Sequence, residues 1–445
     1  MAYTETKTTG YGTRVGNSFR GIISGFLLFC AATALLWWNE GRAVKTDKML
    51  NDAEKACVEM ENPNKKDATL DGELVCATAV ATTEDSLVDT QFGIGAKAIS
   101  LQRRVEYYQW TEEQHSESED KLGGKEVTTT TYTYHKEWVS SPVESSEFKD
   151  PAYQGKNFVL TTIEEADQWA ENVSFGAYKL NESLIHRISS REPVDLALNE
   201  DMLKELNQST KVAHERFYGA DAPVQAPAEE PAVKVAASDS AALVADSIKA
   251  VNDSLMANAE NKVSLEYIHQ AGNVLYFGRV PGSPEVGDVR VTFEVVVPAK
   301  VTIISQVDGD TFKPFNAKNG KKFQTLVMGK KTAEEIFEAE HQANNMILWL
   351  LRIVGVMLVI AGLKGIFAFI ETILKVVPFV ANIFGWGVGV VCFVLGLVWS
   401  LIIIALAWLF YRPLLGIALL AVAAFLIWVF GFKGKDKLKE MAKRD

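Results

Sequence analysis

From Val376 to Tyr411 the chain runs for 36 residues without an Asp, Glu, Lys, Arg or His. About 20 apolar residues are enough to cross a hydrocarbon core as a helix. A run of this length therefore predicts a membrane span rather than a core element of a water-soluble fold. Three other stretches have the same character. Gly21–Trp38 is uncharged over 18 residues, Met346–Leu363 is apolar apart from Arg352, and Leu414–Phe432 is uncharged over 19 residues. The spans are placed at 21–38, 346–366, 382–409 and 414–432, a four-helix transmembrane bundle. Tyr411, Arg412 and Pro413 form the turn between the last two, because proline lacks the donor that a continuing helix needs. Lys364–Lys375 mixes Glu371 and two lysines into an apolar background, so 367–381 is expected to lie at the interface.

The first span ends in Trp37–Trp38, where an aromatic belt belongs, and Asn39, Glu40, Gly41 and Arg42 follow at once. A cleaved export signal would carry small residues there, so the span is read as an uncleaved anchor. Four spans put both termini on one side. The tail, 433–445, has six basic and three acidic residues, and the lead, 1–20, carries Lys7, Arg14 and Arg20. By the positive-inside rule both face the cytoplasm. Residues 45–344 hold 31 basic against 50 acidic residues, a net charge of −19. This acidic middle belongs to an extracytoplasmic or lumenal domain over 39–345. It excludes nucleic acid as a partner, because phosphate contacts need Lys and Arg.

That domain reads as β-rich, so the fold class is α+β. Alternating or β-branched stretches predict strands at 73–82, 98–110, 127–139, 273–280, 288–296 and 300–307. Residues 111–126 form the acidic connection of a long hairpin. Helices are expected at 163–173 and 200–217. An Ala/Pro-rich linker and helix insert occupies 219–262. Thr332 and Glu335 have the spacing of a capping box at the head of a helix that runs into the second span.

A search for chemistry returns little. The six histidines are dispersed, no two within four residues, and no Gly-rich loop ends in GK[ST]. The chain is read as non-enzymatic, with no metal, cofactor or catalytic residue. Cys57 and Cys76 are either bridged or two buried thiols. Arg352 and Lys364 are read as snorkelling to opposite ends of their span, because no other span offers a carboxylate. Gly385, Gly389, Cys392 and Gly396 recur on one helix face, a stripe for close packing within the bundle or between chains.

Several motifs occur together and in order. They are Asn39-Glu40-Gly41-Arg42 after the first span, Arg104, Tyr108 and Trp110 in RRVEYYQW, and Trp138 closing YTYHKEW. Pro284, Glu285, Gly287, Asp288 and Arg290 follow in PEVGDVRV, then the TAEEIF helix start, and Tyr411-Arg412-Pro413 in WLFYRPL. In these residues the chain resembles the transmembrane protein 43 (LUMA) family, from about Asn39 to Leu414. The resemblance implies four spans, cytoplasmic or nucleoplasmic termini and a large lumenal domain. In animals the family resides in the endoplasmic reticulum and inner nuclear membrane, self-associates, and organises envelope complexes with emerin and lamins. It also has bacterial members, which would place the protein in an inner membrane. The lead and the 219–262 insert depart from the animal pattern, so emerin and lamins are not carried over.

The expectation is a homo-oligomeric scaffold that organises other membrane or envelope proteins in the lipid bilayer, with a recognition surface around 98–139 and 273–307. The alternative is a channel or pore component.

Overall fold

The computed structural model describes residues 2–219, 262–376 and 378–413. The fourth expected span, 414–432, the tail and nearly all of the insert lie outside the described residues. Three described helices are long and apolar enough to cross a membrane. These are α1 (Tyr11–Ala56), α3 (Ala333–Leu374) and α4 (Pro378–Tyr411); α2 (Glu200–Tyr218) belongs to the domain.

Both α1 and α3 overrun the expected spans. The first is 46 residues long and passes straight through the Trp37–Trp38 pair. The second begins at a complete capping box: the Thr332 hydroxyl accepts from the Glu335 amide at 3.2 Å, and the Glu335 carboxylate accepts from the Thr332 amide at 2.9 Å. It then continues to Leu374, so the segment expected at the interface is made of a helix end, a turn at Lys375–Val376 and the start of α4. The helices pair antiparallel. Backbone meets backbone where a Cβ on Gly25 would lie 2.8 Å from the Gly362 oxygen and one on Gly362 would lie 2.7 Å from the Phe29 nitrogen. Small residues permit that approach.

The domain is built on two large sheets. The first has the order β1–β5–β4–β10–β9–β8–β7, with β1 at Tyr3–Thr9, β4 at Ser100–Asp120, β5 at Glu126–Val139 and β7 at Lys262–Ser264. β8 is Ile268–Ala271, β9 is Val274–Phe277 and β10 is Val289–Val296. The second sheet centres on β11 (Ala299–Asp308), paired with β3 (Leu74–Thr83) and β12 (Thr325–Met328); β2 (Cys57–Glu59) lies parallel to β3. The ends of α1 and α3 plug into this second sheet. Met49, Leu50 and Ala53 of α1 share one core with Ile336 and Phe337 of α3 and with Leu74, Ile304 and Phe323. Domain and helices are thus joined through a common apolar core.

Two expectations are corrected. Residues 163–173 are not a helix: Ala166–Trp169 is strand β6, paired with Arg103–Ser100 of β4. Of the expected recognition surface around 98–139 and 273–307, one face of the central part is interior: β4 and β10 pair there and Val105, Val291 and Phe293 are buried.

Beyond Tyr107, β4 and β5 leave the core as a two-stranded ribbon that extends to Asp120 and Glu126. Over Tyr108–Asp120 it reaches about 40 Å at roughly 3.4 Å per residue. Its tip meets the end of the bundle farthest from the domain. Asp120 pairs with Arg14 at 2.7 Å and with Lys375 at 3.3 Å, and the Gly123 amide donates to the Val376 carbonyl at 3.1 Å. The lead itself, β1, adds a third strand along Glu126–Tyr132. The ribbon therefore runs the length of the bundle.

Candidate functional site

The residues after Trp38 do not leave the bundle. Asn39 and Glu40 are buried on α1 and face α3 and α4. Arg352, expected to snorkel alone, has a full counter-charge. Its Nε donates to Glu40 Oε1 at 2.6 Å and its Nη2 to Oε2 at 2.9 Å, and both side chains are under a tenth exposed. Trp408 of α4 donates its indole N–H to the same carboxylate at 2.8 Å. The guanidinium lies over the Trp349 ring at 4.8 Å and the Trp408 ring at 5.5 Å. One carboxylate thus receives donors from two other helices, and aromatic faces shield the cation.

The rest of the motif closes the rim. The Asn39 amide donates to the Leu348 carbonyl at 3.0 Å, and its oxygen accepts from Arg42, which also donates to Asn344 Oδ1 at 3.1 Å. Asn344 returns a bond to the Ala43 carbonyl at 3.1 Å. Gly41 is required by close approach: an added Cβ would lie 2.5 Å from the Tyr411 ring. Nearly two turns beyond Gly41, Asp47 meets His341 at 3.1 Å and Arg412 at 3.5 Å. The motif NEGR and the motif YRP, more than 360 residues apart in sequence, are two halves of one site.

The remaining motif residues gather at the base of the ribbon. Arg290 bonds Glu106 and lies 4.6 Å from the Trp138 ring centroid, and Trp138 packs on Tyr108. Trp110 packs edge-on to Tyr153 and beneath Lys136. Arg104 pairs with Glu165 and Asp167 at the surface. Asp288 is fully buried; it accepts from the Tyr276 hydroxyl and, at 2.8 Å, from the Glu285 amide. Burial pushes its carboxyl up to about 7, against those hydrogen bonds. Gly287, at φ +100°, packs its α-carbon against the Phe158 ring, where a Cβ would lie 2.3 Å away. Pro284 lies in the same connection between β9 and β10, and Pro413 follows Arg412 at the end of α4.

Cys57 and Cys76 lie on the adjacent strands β2 and β3 as free thiols, and burial raises both, Cys57 to about 12 and Cys76 to about 11. Among the described residues no cluster of three His, Cys, Asp or Glu could hold a metal. The α4 stripe faces α3: Gly396 abuts Ile360, Gly389 the Lys364 side chain and Gly385 the Glu371 carboxylate, and Cys392 is fully buried.

The rim cluster missed in the sequence was signalled by Arg352 itself, since a buried charge demands a partner. Glu40 lies four residues after Leu36, on the face that packs against α3 at Gly355.

Long apolar helices locked by an ion pair and fused to a β-rich body define a multi-pass membrane protein with a large extramembranous domain. The chain belongs to the transmembrane protein 43 family, whose model matches residues 107–413. It is 28% identical to transmembrane protein 43 of Rattus norvegicus over 91% of this chain and 88% of the relative. It is 27% identical to that of Homo sapiens with the same coverage, and 23% identical to the Drosophila melanogaster homolog over 90% and 91%. No solved structure matches.

Proposed function

We propose that the chain is a non-catalytic scaffold that works as an assembly of copies, each presenting a β domain held rigidly on its own membrane helices. The ribbon carries this reading. It passes from the domain to the opposite end of the bundle, so a bilayer around α1, α3 and α4 surrounds it too. Its strand Glu113–Glu119 is exposed throughout. Both faces are polar, with Glu112, Gln114, Ser116 and Ser118 on one and Glu113, His115, Glu117 and Glu119 on the other. β1 covers the outer edge of β5 only; on the other edge of β4 the backbone of Tyr108 bonds Gly287 and Asp288 and that of Trp110 bonds Asn157, and no described strand pairs beyond Trp110. Open strands cannot face lipid; at bilayer depth they persist only against protein or a water-filled space. Further copies of the chain supply that cover, with the bare β4 edge as the pairing surface.

In this reading the lead, the ribbon tip and the tail face the cytoplasm. The domain faces the periplasm in a bacterial inner membrane, or the lumen of the endoplasmic reticulum and nuclear envelope in a eukaryote, and recruits other membrane or envelope proteins. The test is the mass of the full chain in lipid nanodiscs, with a cysteine at Ser116 for crosslinking between copies. A multimer that is lost when the ribbon from Glu113 to Thr133 is replaced by a short turn is expected. A monomer in the unmodified chain would sink the reading. The same ribbon favours one alternative, a water-lined channel. Conductance in planar bilayers that disappears with the ribbon would select it.

A further inference from the structure

A cavity of about 360 Å³ lies between α3 and α4, away from the rim cluster, lined by Lys364, Gly365, Ala368, Glu371, Gly385 and Gly389, with Val388 behind them. We propose that it binds the headgroup of a membrane phospholipid, with the phosphate on Lys364 and the amine of an ethanolamine headgroup beside Glu371. This rests on the reading that α3 and α4 cross a bilayer.

The site is made by what α4 omits. Lys364 and Glu371 are seven residues apart, two turns along one helix face, about 10 Å by the helical rise. Opposite them α4 places Gly389 and Gly385. A Cβ on Gly389 would lie 3.5 Å from the Lys364 Cε, and one on Gly385 would lie 3.1 Å from the Glu371 carboxylate. The two charged side chains thus lie in the groove that the glycines leave open. Among the described residues Lys364 has no ion pair, whereas Glu371 has Lys375 at 3.8 Å, itself shared with Asp120. The groove therefore holds one cation without a counter-charge beside a carboxylate that is partly balanced.

Depth selects the ligand. From Trp349, beside Arg352 at the domain-side rim, Lys364 is about 22 Å and Glu371 about 33 Å along the helix. A hydrocarbon core is about 30 Å thick. Glu371 is thus at headgroup level on the far face, and Lys364 lies inside it, where its stem extends toward that interface. A phosphate between them meets the ammonium from below, and an ethanolamine nitrogen meets the carboxylate from the water side. The volume is that of a small-ligand site.

The test uses the full chain in mild detergent, by native mass spectrometry with added phosphatidylethanolamine, phosphatidylglycerol or diacylglycerol. The unmodified chain should retain phosphatidylethanolamine, and diacylglycerol, which lacks the phosphate, should bind about tenfold more weakly. Lys364→Gln should abolish that difference. Glu371→Gln should keep both phospholipids and lose the preference for phosphatidylethanolamine. Gly389→Leu, which fills the groove while keeping both Lys364 and Glu371, should release lipid while thermal melting reports whether the fold is intact. Equal retention of diacylglycerol and phosphatidylethanolamine, or a folded Lys364→Gln that binds as the unmodified chain does, would overturn the proposal. Displacement of lipid by millimolar inorganic phosphate would mean a soluble anion site and would also overturn it. Alkaline extraction of native membranes checks the underlying reading separately: release of the chain there would remove the spans themselves.

Discussion

An arginine closes each end of the α1–α3 pair, and the two closures differ in kind. At the domain end Arg352 and Glu40 both sit on membrane helices, are almost wholly buried, and are bonded to a third helix through Trp408. At the far end Arg14 is as buried, but its partners Asp120 and Glu126 belong to the ribbon and are 19% and 28% exposed. The first pair holds three helices together. The second ties a strand of the domain to the lead, across the length of the bundle. A buried pair between helices bears on packing, whereas a pair between lead and ribbon bears on topology.

The largest expected effect lies at the domain end. Removing one member of a buried pair leaves the other charge unsatisfied, at a cost of about 3–5 kcal/mol. Arg352→Met or Glu40→Gln should lower the thermal midpoint of the detergent-solubilised protein sharply. The double variant Glu40→Met/Arg352→Met should recover much of that loss. A double variant as unstable as either single one would mean that the residues act through separate contacts. Gly41→Ala comes next, at about 1–3 kcal/mol, because the Tyr411 ring must move; Tyr411→Ala should relieve it, and no relief would place the strain elsewhere.

The far end should yield less. Arg14→Ala should cost about 1 kcal/mol, given its partly solvated partners, and should speed amide exchange in β1 more than in α1. Thr6 and Thr129 face each other in the ladder. Cysteines there should crosslink in intact membranes, and failure to do so would mean that lead and ribbon are not paired there.

A separate effect is a pH slope at the ribbon base. Asp288, facing Tyr276, Glu285 and Lys136, titrates near 7 in the folded protein and near 3.9 when unfolded. The folded state therefore holds its proton more tightly. The contribution of this group to stability is highest below about pH 4, falls as pH rises to 7, and then levels off. Asp288→Asn should flatten this trend in midpoints measured from pH 4 to 8.

Hydropathy and charge placed α1, α3 and α4 because lipid imposes its demand residue by residue, within one helix. The capping box at Thr332 was legible for the same local reason. What the residues did not disclose were choices made between distant segments. Glu40 looked like the polar end of a span because its partners lie more than 300 residues away. Ala166–Trp169, in an acidic run with helical character, became a strand because β4 offered it a ladder, and pairing outweighs propensity there. The hairpin at 98–139 was anticipated, but its far end depends on Arg14 and Lys375, which nothing within the hairpin encodes. For the small-residue stripe, the sequence pointed to α4, while the closest backbone approach joins Gly25 to Gly362 on the other pair of helices.

Neither α1 nor α3 contains a proline. Without that usual point of bending, each is a stiff rod seated in the second sheet at its domain end, and the lead-side end of α1 is tied to the ribbon through Arg14 and β1. At about 1.5 Å per residue α1 is roughly 70 Å long. A tilt of about 5° imposed on the sheet would swing its lead-side tip by roughly 6 Å, more than one helical turn of pitch. A displacement of the β domain would thus be carried along the helix to the ribbon tip rather than be lost on the way.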